Sequence, residues 1–450
     1  MKPKLSPEAV YVTQSVENDP RSRQRAERMI AAMTAGEVVR NVDDAELNRI
    51  VAERGWETNT RWGEREEARD PDVVFTVFPG RLSTEEKKAR AQPYPNLRVN
   101  HLAEGVGWVY RGDGTPEWRK RTHSICQPAW QLHSVTGCPF RCAYCWLGNV
   151  INIRVNIEDL ADFTAREIAR LNPPQTIWKW DNVTDLNCFE PEYDAVRPMV
   201  ELFAKQREHY LLLYTGKSDN VDFMLDYDHQ GQTIIQWSLS PRTQSVALEP
   251  LTAPWDARVE AMRQCEEAGY QVRFRLSPIM PVKNWREEYT ELIELIFSKT
   301  HPDVCALCMF GWMDFQVAER CLDLSLWDPI YVDAMRATAP FLEGKRTGPI
   351  PHEARAAIYQ HLIDEITRVS PKTPIALCLE TPEMWRLFEE QLNQSAEEYV
   401  CVCGPYCTPG NHQFRCRESD LAFLPQAGMW RSDARLLVGQ RKDLHHADPM

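Results

Sequence analysis

Short apolar segments alternate with amphipathic stretches from about residue 131 to residue 379. The apolar segments are Trp130–Val135, Thr176–Trp180, Tyr210–Tyr214, Thr233–Leu239, Val272–Leu276, Val304–Phe310 and Ile375–Leu379. Between them, apolar residues recur three to four positions apart, which is the spacing of one helix face. Alternating strands and helices predict an α/β fold with a parallel sheet, here a partial (βα)6-type TIM barrel over residues 126–395. A barrel of this kind carries its chemistry at the carboxyl ends of its strands.

The pattern differs on both sides of this region. Pro20 and the sequence Asn41–Asp44 each precede a helical pattern, so residues 1–60 are predicted to be helical. Residues 61–130 are rich in Arg, Pro and Gly and are predicted to be irregular. We therefore expect a helical and irregular N-terminal region at 1–125, the barrel at 126–395 and a Cys-rich C-terminal extension at 396–450.

Composition narrows the class of protein. The chain has 450 residues, enough for one large α/β domain with additions. The lack of a long apolar run or a secretory signal leads us to expect a cytoplasmic protein with no membrane partner. A net charge of −13 does not favour a nucleic-acid partner. Fourteen cysteines in such a chain point to metal binding or catalysis rather than disulfides.

The most specific motif is GCPFRCAYCWLGN, which directly follows the first predicted barrel strand. It spaces Cys138, Cys142 and Cys145 as C-x3-C-x2-C. Three thiolates on one loop can bind three irons of a [4Fe-4S] cubane and leave the fourth iron open. The alternative, zinc, usually takes four protein ligands with a second Cys or His pair at a related spacing.

This motif resembles that of the radical S-adenosylmethionine (SAM) superfamily. The resemblance implies a radical SAM-type barrel, a [4Fe-4S] cluster with SAM on its fourth iron, and an electron donor of the flavodoxin or ferredoxin type. Reductive cleavage of SAM would then yield a 5′-deoxyadenosyl radical.

Residues from about 130 to 390 further resemble the spore photoproduct lyase family. The segments that carry the resemblance are GCPFRCAYCWLGN, TGKSDNVDFMLD, IIQWSLSP, AGYQVRFRLSPIMP and LCLETPEMW. The resemblance implies that Thr184, Lys217 and Ser238 contact SAM. All three lie at or near predicted strand ends. The alternative for each is an ordinary polar residue of a loop or strand end.

Two positions depart from the family. Asn182 stands where the lyases have a cysteine that donates a hydrogen atom, and Trp146 replaces a tyrosine of the same relay. Tyr144 is kept and is a candidate catalytic residue. Cys188 is the other candidate, as a substitute hydrogen donor, although a buried structural thiol is the alternative. Repair of a thymine dimer is therefore not favoured.

The C-terminal extension contains a second thiol cluster. Cys401, Cys403, Cys407 and Cys416 are spaced C-x-C-x3-C-x8-C and are predicted to bind metal. The candidates are an auxiliary iron–sulfur cluster, a structural zinc and a thiophilic metalloid substrate. Redox disulfides and inert thiols are the alternatives.

The sequence thus predicts a radical SAM enzyme acting on a small-molecule or peptide substrate. The first alternative is a spore photoproduct lyase-like DNA repair lyase. The second is transfer of the aminocarboxypropyl group of SAM to a soft acceptor held by the C-terminal cysteines. A non-catalytic sensor of iron or redox state is a further alternative.

Overall fold

The computed structural model describes residues 4–57, 60–66, 69–80, 84–102 and 108–410. The strands are β1 (Ala9–Thr13), β2 (Glu37–Val42), β3 (Asp72–Thr76), β4 (Trp108–Arg111), β5 (Ala129–Leu132), β6 (Val135–Thr136), β7 (Val150–Arg154), β8 (Ile177–Trp180), β9 (Tyr210–Gly216), β10 (Thr233–Leu239), β11 (Gln271–Ile279), β12 (Cys305–Met309) and β13 (Ile375–Leu377). The helices are α1 (Gln14–Glu17), α2 (Pro20–Ala31), α3 (Asp44–Arg54), α4 (Thr84–Ala91), α5 (Pro116–Thr122), α6 (Ile157–Leu171), α7 (Val196–Ala204), α8 (Arg242–Ala247), α9 (Trp255–Glu267), α10 (Trp285–Lys299), α11 (Phe315–Cys321), α12 (Pro329–Leu342), α13 (His352–Val369) and α14 (Pro382–Leu392).

The larger of the two sheets formed by the described strands has the order β13-β12-β11-β10-β9-β8-β5-β4. Strand β4 is antiparallel to β5, and every other neighbouring pair is parallel. Its parallel strands are buried and connected through helices, which confirms the predicted α/β class. Strand β10 matches the predicted segment residue for residue, and helix α6 lies in one of the predicted amphipathic stretches.

The two edges of this sheet approach each other. The Ile125 amide, just before β5, donates to the Glu380 carbonyl, just after β13, at 2.7 Å. Arg111 of the edge strand β4 and Leu377 of the edge strand β13 line one cavity. The sheet is therefore strongly curved, and polar side chains of its central strands face that cavity.

A second sheet, ordered β2-β1-β3-β7-β6, corrects the predictions for the N-terminal region. Residues 1–60 contain β1 and β2 in addition to the predicted helices, and residues 61–130 contain β3 to β5, α4 and α5. Strand β1 is a five-residue apolar run, too short for its periodicity to separate a strand from a helix. Strand β2 is mostly exposed, so it lacks an apolar face. The sheet also takes β6 and β7 from the predicted barrel region, whose boundaries stay a prediction.

The Cys-rich segment begins at Cys401, and its described part, residues 401–410, packs against the amino ends of parallel strands. The amides of Thr176 and Ile177, where β8 begins, both donate to the Pro405 carbonyl at 2.9 Å. The buried Arg273 guanidinium, near the start of β11, donates to the carbonyls of Val402 (3.2 Å) and Cys407 (2.6 Å). This segment thus covers the end of the sheet opposite to the carboxyl ends. Among the described residues, no helix is long and apolar enough to cross a membrane.

Candidate functional site

The three motif cysteines lie on the loop 137–149, here called the cluster loop, which joins β6 to β7. Gly137 begins it with a φ of +105°, and a Cβ there would lie 2.3 Å from the Val150 carbonyl oxygen, so only glycine fits. The Cys138 amide donates to the Leu147 carbonyl at 2.9 Å. The Cys145 amide donates to the Cys142 carbonyl at 2.8 Å. These bonds close the loop on itself and bring its two ends together.

A segment of the N-terminal region holds this loop from outside. The amides of Trp62 and Gly63 donate to the carbonyls of Cys145 (3.0 Å) and Ala143 (2.9 Å). The buried Trp62 ring packs on Gly148, where a Cβ would lie 2.3 Å from ring atoms. Trp62 was not predicted as a site residue, because nothing near it in the sequence indicates a contact with a loop more than eighty residues away.

The motif thiols lie in a desolvated environment. Cys138 and Cys142 are buried and Cys145 is half-buried. Burial, reinforced by the neighbouring Cys145, raises the pKa of Cys138 well above its usual range. Burial also raises the pKa of Cys142 and of Cys145. These thiols therefore stay protonated unless a cationic metal group replaces their protons.

The thiol arrangement suits a cluster better than a single ion. The loop supplies three cysteine thiols, whereas a structural zinc ion usually takes four protein ligands. A cubane places each of its three thiolates on a different iron, so the sulfurs need not meet at one point. The donor set of Cys138, Cys142 and Cys145 therefore fits a [4Fe-4S] cluster and disfavours a zinc site.

Lys217 follows β9 and forms a buried charge network with Glu249. Its Nζ lies 3.0 Å from Glu249 Oε1, 3.1 Å from Ser240 Oγ and 3.2 Å from the Ser277 carbonyl. Arg258 lies 2.9 Å from the other carboxylate oxygen of Glu249. Burial alone would raise the pKa of Glu249, but Lys217 and Arg258 outweigh it and lower that pKa to about 2. The network lies close enough to the cluster loop for Glu249 and Lys217 to influence the Cys142 thiol.

The segment after β8 presents polar groups that have no protein partner. Thr184 Oγ1 and Asn182 Oδ1 are buried, and neither atom has a hydrogen-bond partner among the described residues. Buried polar atoms of this kind are costly unless a ligand or water satisfies them. The next residue, Asp185, accepts from the amides of Lys217 (2.5 Å) and Ser218 (3.0 Å). Asp185 therefore links the ends of β8 and β9 by hydrogen bonds. Its charge also contributes to the raised pKa of Cys138.

The remaining predicted residues occupy different surroundings. Ser238, on β10, lies 2.6 Å from the Tyr214 hydroxyl and accepts from Arg275 Nε at 3.1 Å. The Tyr144 hydroxyl donates to Glu249 Oε1 at 2.8 Å, which brings Tyr144 to the Lys217 network. The Cys188 thiol is buried and donates to the Asp185 carbonyl at 2.7 Å.

Three of the four C-terminal cysteines lie in the described residues. The Cys401 amide donates to the Cys407 sulfur at 3.2 Å, and Arg111 Nη1 lies 3.7 Å from the Cys403 sulfur. The Cys401 thiol donates to Cys403 and, with Lys179 and Arg111, holds the pKa of Cys403 well below its usual range despite burial. Cys416 lies outside the described residues.

Comparisons with known proteins agree with this geometry. The family model of spore photoproduct lyase matches residues 123–317, which include the cluster loop, Thr184, Lys217 and Ser238. The chain is 25% identical over 184 residues to a spore photoproduct lyase of Clostridium acetobutylicum, covering 39% of this chain and 54% of that protein. It is 27% identical over 175 residues to that of Bacillus subtilis, covering 38% and 51%. The chain thus spans about half the length of these relatives.

Solved structures extend the similarity in fold. A spore photoproduct lyase mutant with bound AdoMet and dinucleoside spore photoproduct superposes with a TM-score of 0.56 at 17% identity. The superposition covers 83% of this chain and 99% of that one. A match at this identity reports on the fold. The matched region and these relatives confirm the resemblance seen in the sequence: over residues 123–317 this chain is similar to spore photoproduct lyases, and its fold is similar to theirs over most of its length.

Proposed function

We propose that this chain is a radical SAM enzyme that binds a [4Fe-4S] cluster through Cys138, Cys142 and Cys145. The observation that carries the proposal is three desolvated thiols on one loop beside the unpartnered Thr184 hydroxyl and the Lys217 ammonium. We assign SAM to Thr184, Lys217 and Ser238, with the curved sheet acting as a partial barrel that encloses it. A flavodoxin or ferredoxin type protein would supply the electron.

Each side chain of the proposed site has a separate role in binding SAM or in shielding the cluster. Cys138, Cys142 and Cys145 would hold the cluster, which would supply the one electron for reductive cleavage of SAM to methionine and a 5′-deoxyadenosyl radical. Lys217 offers a cation for the SAM carboxylate, and Glu249 keeps that ammonium charged in a buried place. Thr184 offers a hydroxyl for the amino group. Trp62 covers the outer side of the loop and keeps water from it.

The substrate we propose is a small molecule or a peptide. Asn182 lines the interior cavity at the position where the lyases carry their hydrogen-donating cysteine. An amide does not give up a hydrogen atom as a thiol does, so the product radical must be quenched in another way. Tyr144, which is hydrogen-bonded to Glu249, is the first candidate for that step, and Cys188, which is hydrogen-bonded to the Asp185 carbonyl, is the second.

The second candidate is a spore photoproduct lyase-like repair reaction, which the family match favours. A solved relative was crystallised with a dinucleoside spore photoproduct, so that compound is the direct probe. The reconstituted, reduced protein would be incubated with SAM, with and without the dinucleoside. We expect SAM cleavage in both samples and an unchanged dinucleoside. Conversion of the dinucleoside to two thymidine units would instead establish the lyase reaction.

The identity of the nucleoside product tests the type of SAM cleavage. Reductive cleavage to the radical yields 5′-deoxyadenosine after hydrogen abstraction, whereas transfer of the aminocarboxypropyl group leaves 5′-methylthioadenosine. We expect 5′-deoxyadenosine from the wild type and from Cys305→Ala, a control in which a buried β12 thiol outside the site is removed. Formation of 5′-methylthioadenosine would contradict the proposed radical and favour the transfer reaction.

A further inference from the structure

Four cysteines from distant parts of the chain line one interior cavity. They are Cys126, just before β5, Cys378, just after β13, and Cys401 and Cys403 of the Cys-rich segment. The cavity is partly open to solvent. It is bounded by the large sheet and closed at the amino ends of the strands by the Cys-rich segment. None of these thiols belongs to the cluster loop.

The same cavity is lined by three cations. Arg111 comes from β4, Lys179 from β8 and Arg275 from β11. Lys179 and Arg275 are buried, and burial lowers the pKa of Lys179 while the Cys403 sulfur opposes that shift. Among the described residues of the lining, Asp113 is the one carboxylate, so the cations outnumber it, and their burial favours a further anionic group. Arg111 already lies against the Cys403 sulfur, at 3.7 Å.

We propose that Cys126, Cys378, Cys401 and Cys403 bind a second [4Fe-4S] cluster in this cavity. Four thiolates outweigh the positive charge of a cubane core, so the complex is net negative, and the three cations balance it. A zinc ion on the same four thiolates would also be net negative, so the cations do not discriminate between zinc and a cluster, and the iron, sulfide and zinc contents do. On binding, each thiol releases its proton to solvent as its sulfur joins an iron.

The ligand set differs from a purely C-terminal one. Cys407 does not line the cavity, and its sulfur accepts the Cys401 amide instead. Between them lies Gly404, where a Cβ would be 2.4 Å from Gln127 Oε1 and 2.5 Å from the Cys407 sulfur. Glycine therefore lets the backbone between Cys403 and Cys407 approach Gln127 and the Cys407 sulfur closely.

The proposed cluster would share a wall with the SAM site. Asn182, two residues before Thr184, lines the cavity. Cys378 follows the carboxyl end of β13, and its thiol hydrogen bonds to that of Cys308 on the neighbouring strand β12. Cys308 does not line the cavity, so its proposed role is to hydrogen bond to the ligand sulfur of Cys378 and not to bind iron.

The test is the iron and acid-labile sulfide content of the full chain after anaerobic reconstitution, with EPR of the reduced protein. The triple variant Cys138→Ala/Cys142→Ala/Cys145→Ala removes the first cluster, so that only the proposed site is observed. We expect about eight irons in the wild type and about four in the triple variant. Adding Cys126→Ala or Cys378→Ala to the triple variant should abolish the remaining iron and its signal. Adding Cys407→Ala, the matched control on the same segment, should leave about four irons.

Other outcomes overturn the proposal. No iron in a triple variant with a native far-UV spectrum would show that the cavity binds no cluster. Iron that survives Cys126→Ala and Cys378→Ala but is lost with Cys407→Ala or Cys416→Ala would assign it to the C-terminal cysteines alone. Zinc in place of iron, or a Cys308–Cys378 disulfide, would also refute it. SAM cleavage depends on the first cluster, whereas the iron content of the triple variant depends on the second. The two proposals can therefore fail independently of each other.

Discussion

Lys217 and Glu249 form a buried ion pair, with 3.0 Å between Nζ and Oε1, next to the loop that carries Cys142. The pair joins two places that are distant in the sequence, the end of β9 and the segment after α8. Tyr144 of the cluster loop donates to the same carboxylate oxygen. The ion pair thus links the cluster loop to the site proposed for SAM.

Replacing Lys217 should weaken SAM binding without affecting iron. Lys217→Ala removes the cation proposed for the SAM carboxylate, and a charge-assisted hydrogen bond contributes about 1.5–3 kcal/mol, which corresponds to a roughly ten- to hundredfold weaker Kd. Equilibrium dialysis of SAM against the reconstituted protein measures this change. Lys205→Ala, at an exposed lysine that ends α7, is the control. Equal SAM affinity in Lys217→Ala and wild type would show that Lys217 does not bind SAM.

The Glu249 carboxylate should make the apo protein sensitive to acid. Its pKa in the folded state is about 2, below the ordinary value of 4.5. Its charge therefore stabilises the fold above pH 4.5, and this contribution is lost as the pH falls from 4.5 toward 2. Glu249→Gln lowers stability at neutral pH, because Lys217 and Arg258 lose their partner, and flattens the pH dependence below 4.5. Urea unfolding of the chelated protein at several pH values tests this, and parallel curves for both proteins would refute it.

Gly148 should be needed for the contact with Trp62. In Gly148→Ala the new methyl group meets the indole ring, and overpacking of this kind costs about 1–3 kcal/mol. We expect a lower Tm and a cluster that is lost faster to a chelator. Trp62→Leu in the same chain should relieve part of the effect, because the two residues are in contact. Additive changes in the double variant would mean that the two residues do not act together.

Cys188 should contribute to stability and not to SAM cleavage. Its thiol bonds to the Asp185 carbonyl within the short turn Leu186–Phe189. Cys188→Ala removes that bond and a buried sulfur, for a loss of about 1–2 kcal/mol. Reductive SAM cleavage in the absence of substrate should continue at the wild-type rate. A rate that falls more than tenfold, with iron content unchanged, would place the Cys188 thiol in the chemistry.

The local pattern was sufficient for elements buried on one face or on both. Strand β10 is buried along its length and was predicted residue for residue, and α6 lies in a predicted amphipathic stretch and buries its apolar face. Strands β1 and β2 were not predicted, because one is a five-residue run and the other is mostly exposed. Their pairing depends on partners elsewhere in the chain.

The site divides in the same way. The cluster loop is continuous in sequence, so Cys138, Cys142 and Cys145 could be identified directly. The Trp62 contact and the meeting of Cys126 and Cys378 with the Cys-rich segment arise only when the large sheet curves and its edges approach. No spacing rule connects residues so far apart, and the sequence therefore suggested Cys407 where the cavity presents Cys126 and Cys378.

The central claim is that the three thiols of the cluster loop support reductive cleavage of SAM. The most direct measurement is 5′-deoxyadenosine formed under anaerobic conditions with dithionite, comparing reconstituted wild type with Cys142→Ala. We predict that the wild type forms 5′-deoxyadenosine and that Cys142→Ala forms none while retaining its fold. Equal amounts from both proteins, or none from a wild type that contains its iron, would contradict the claim.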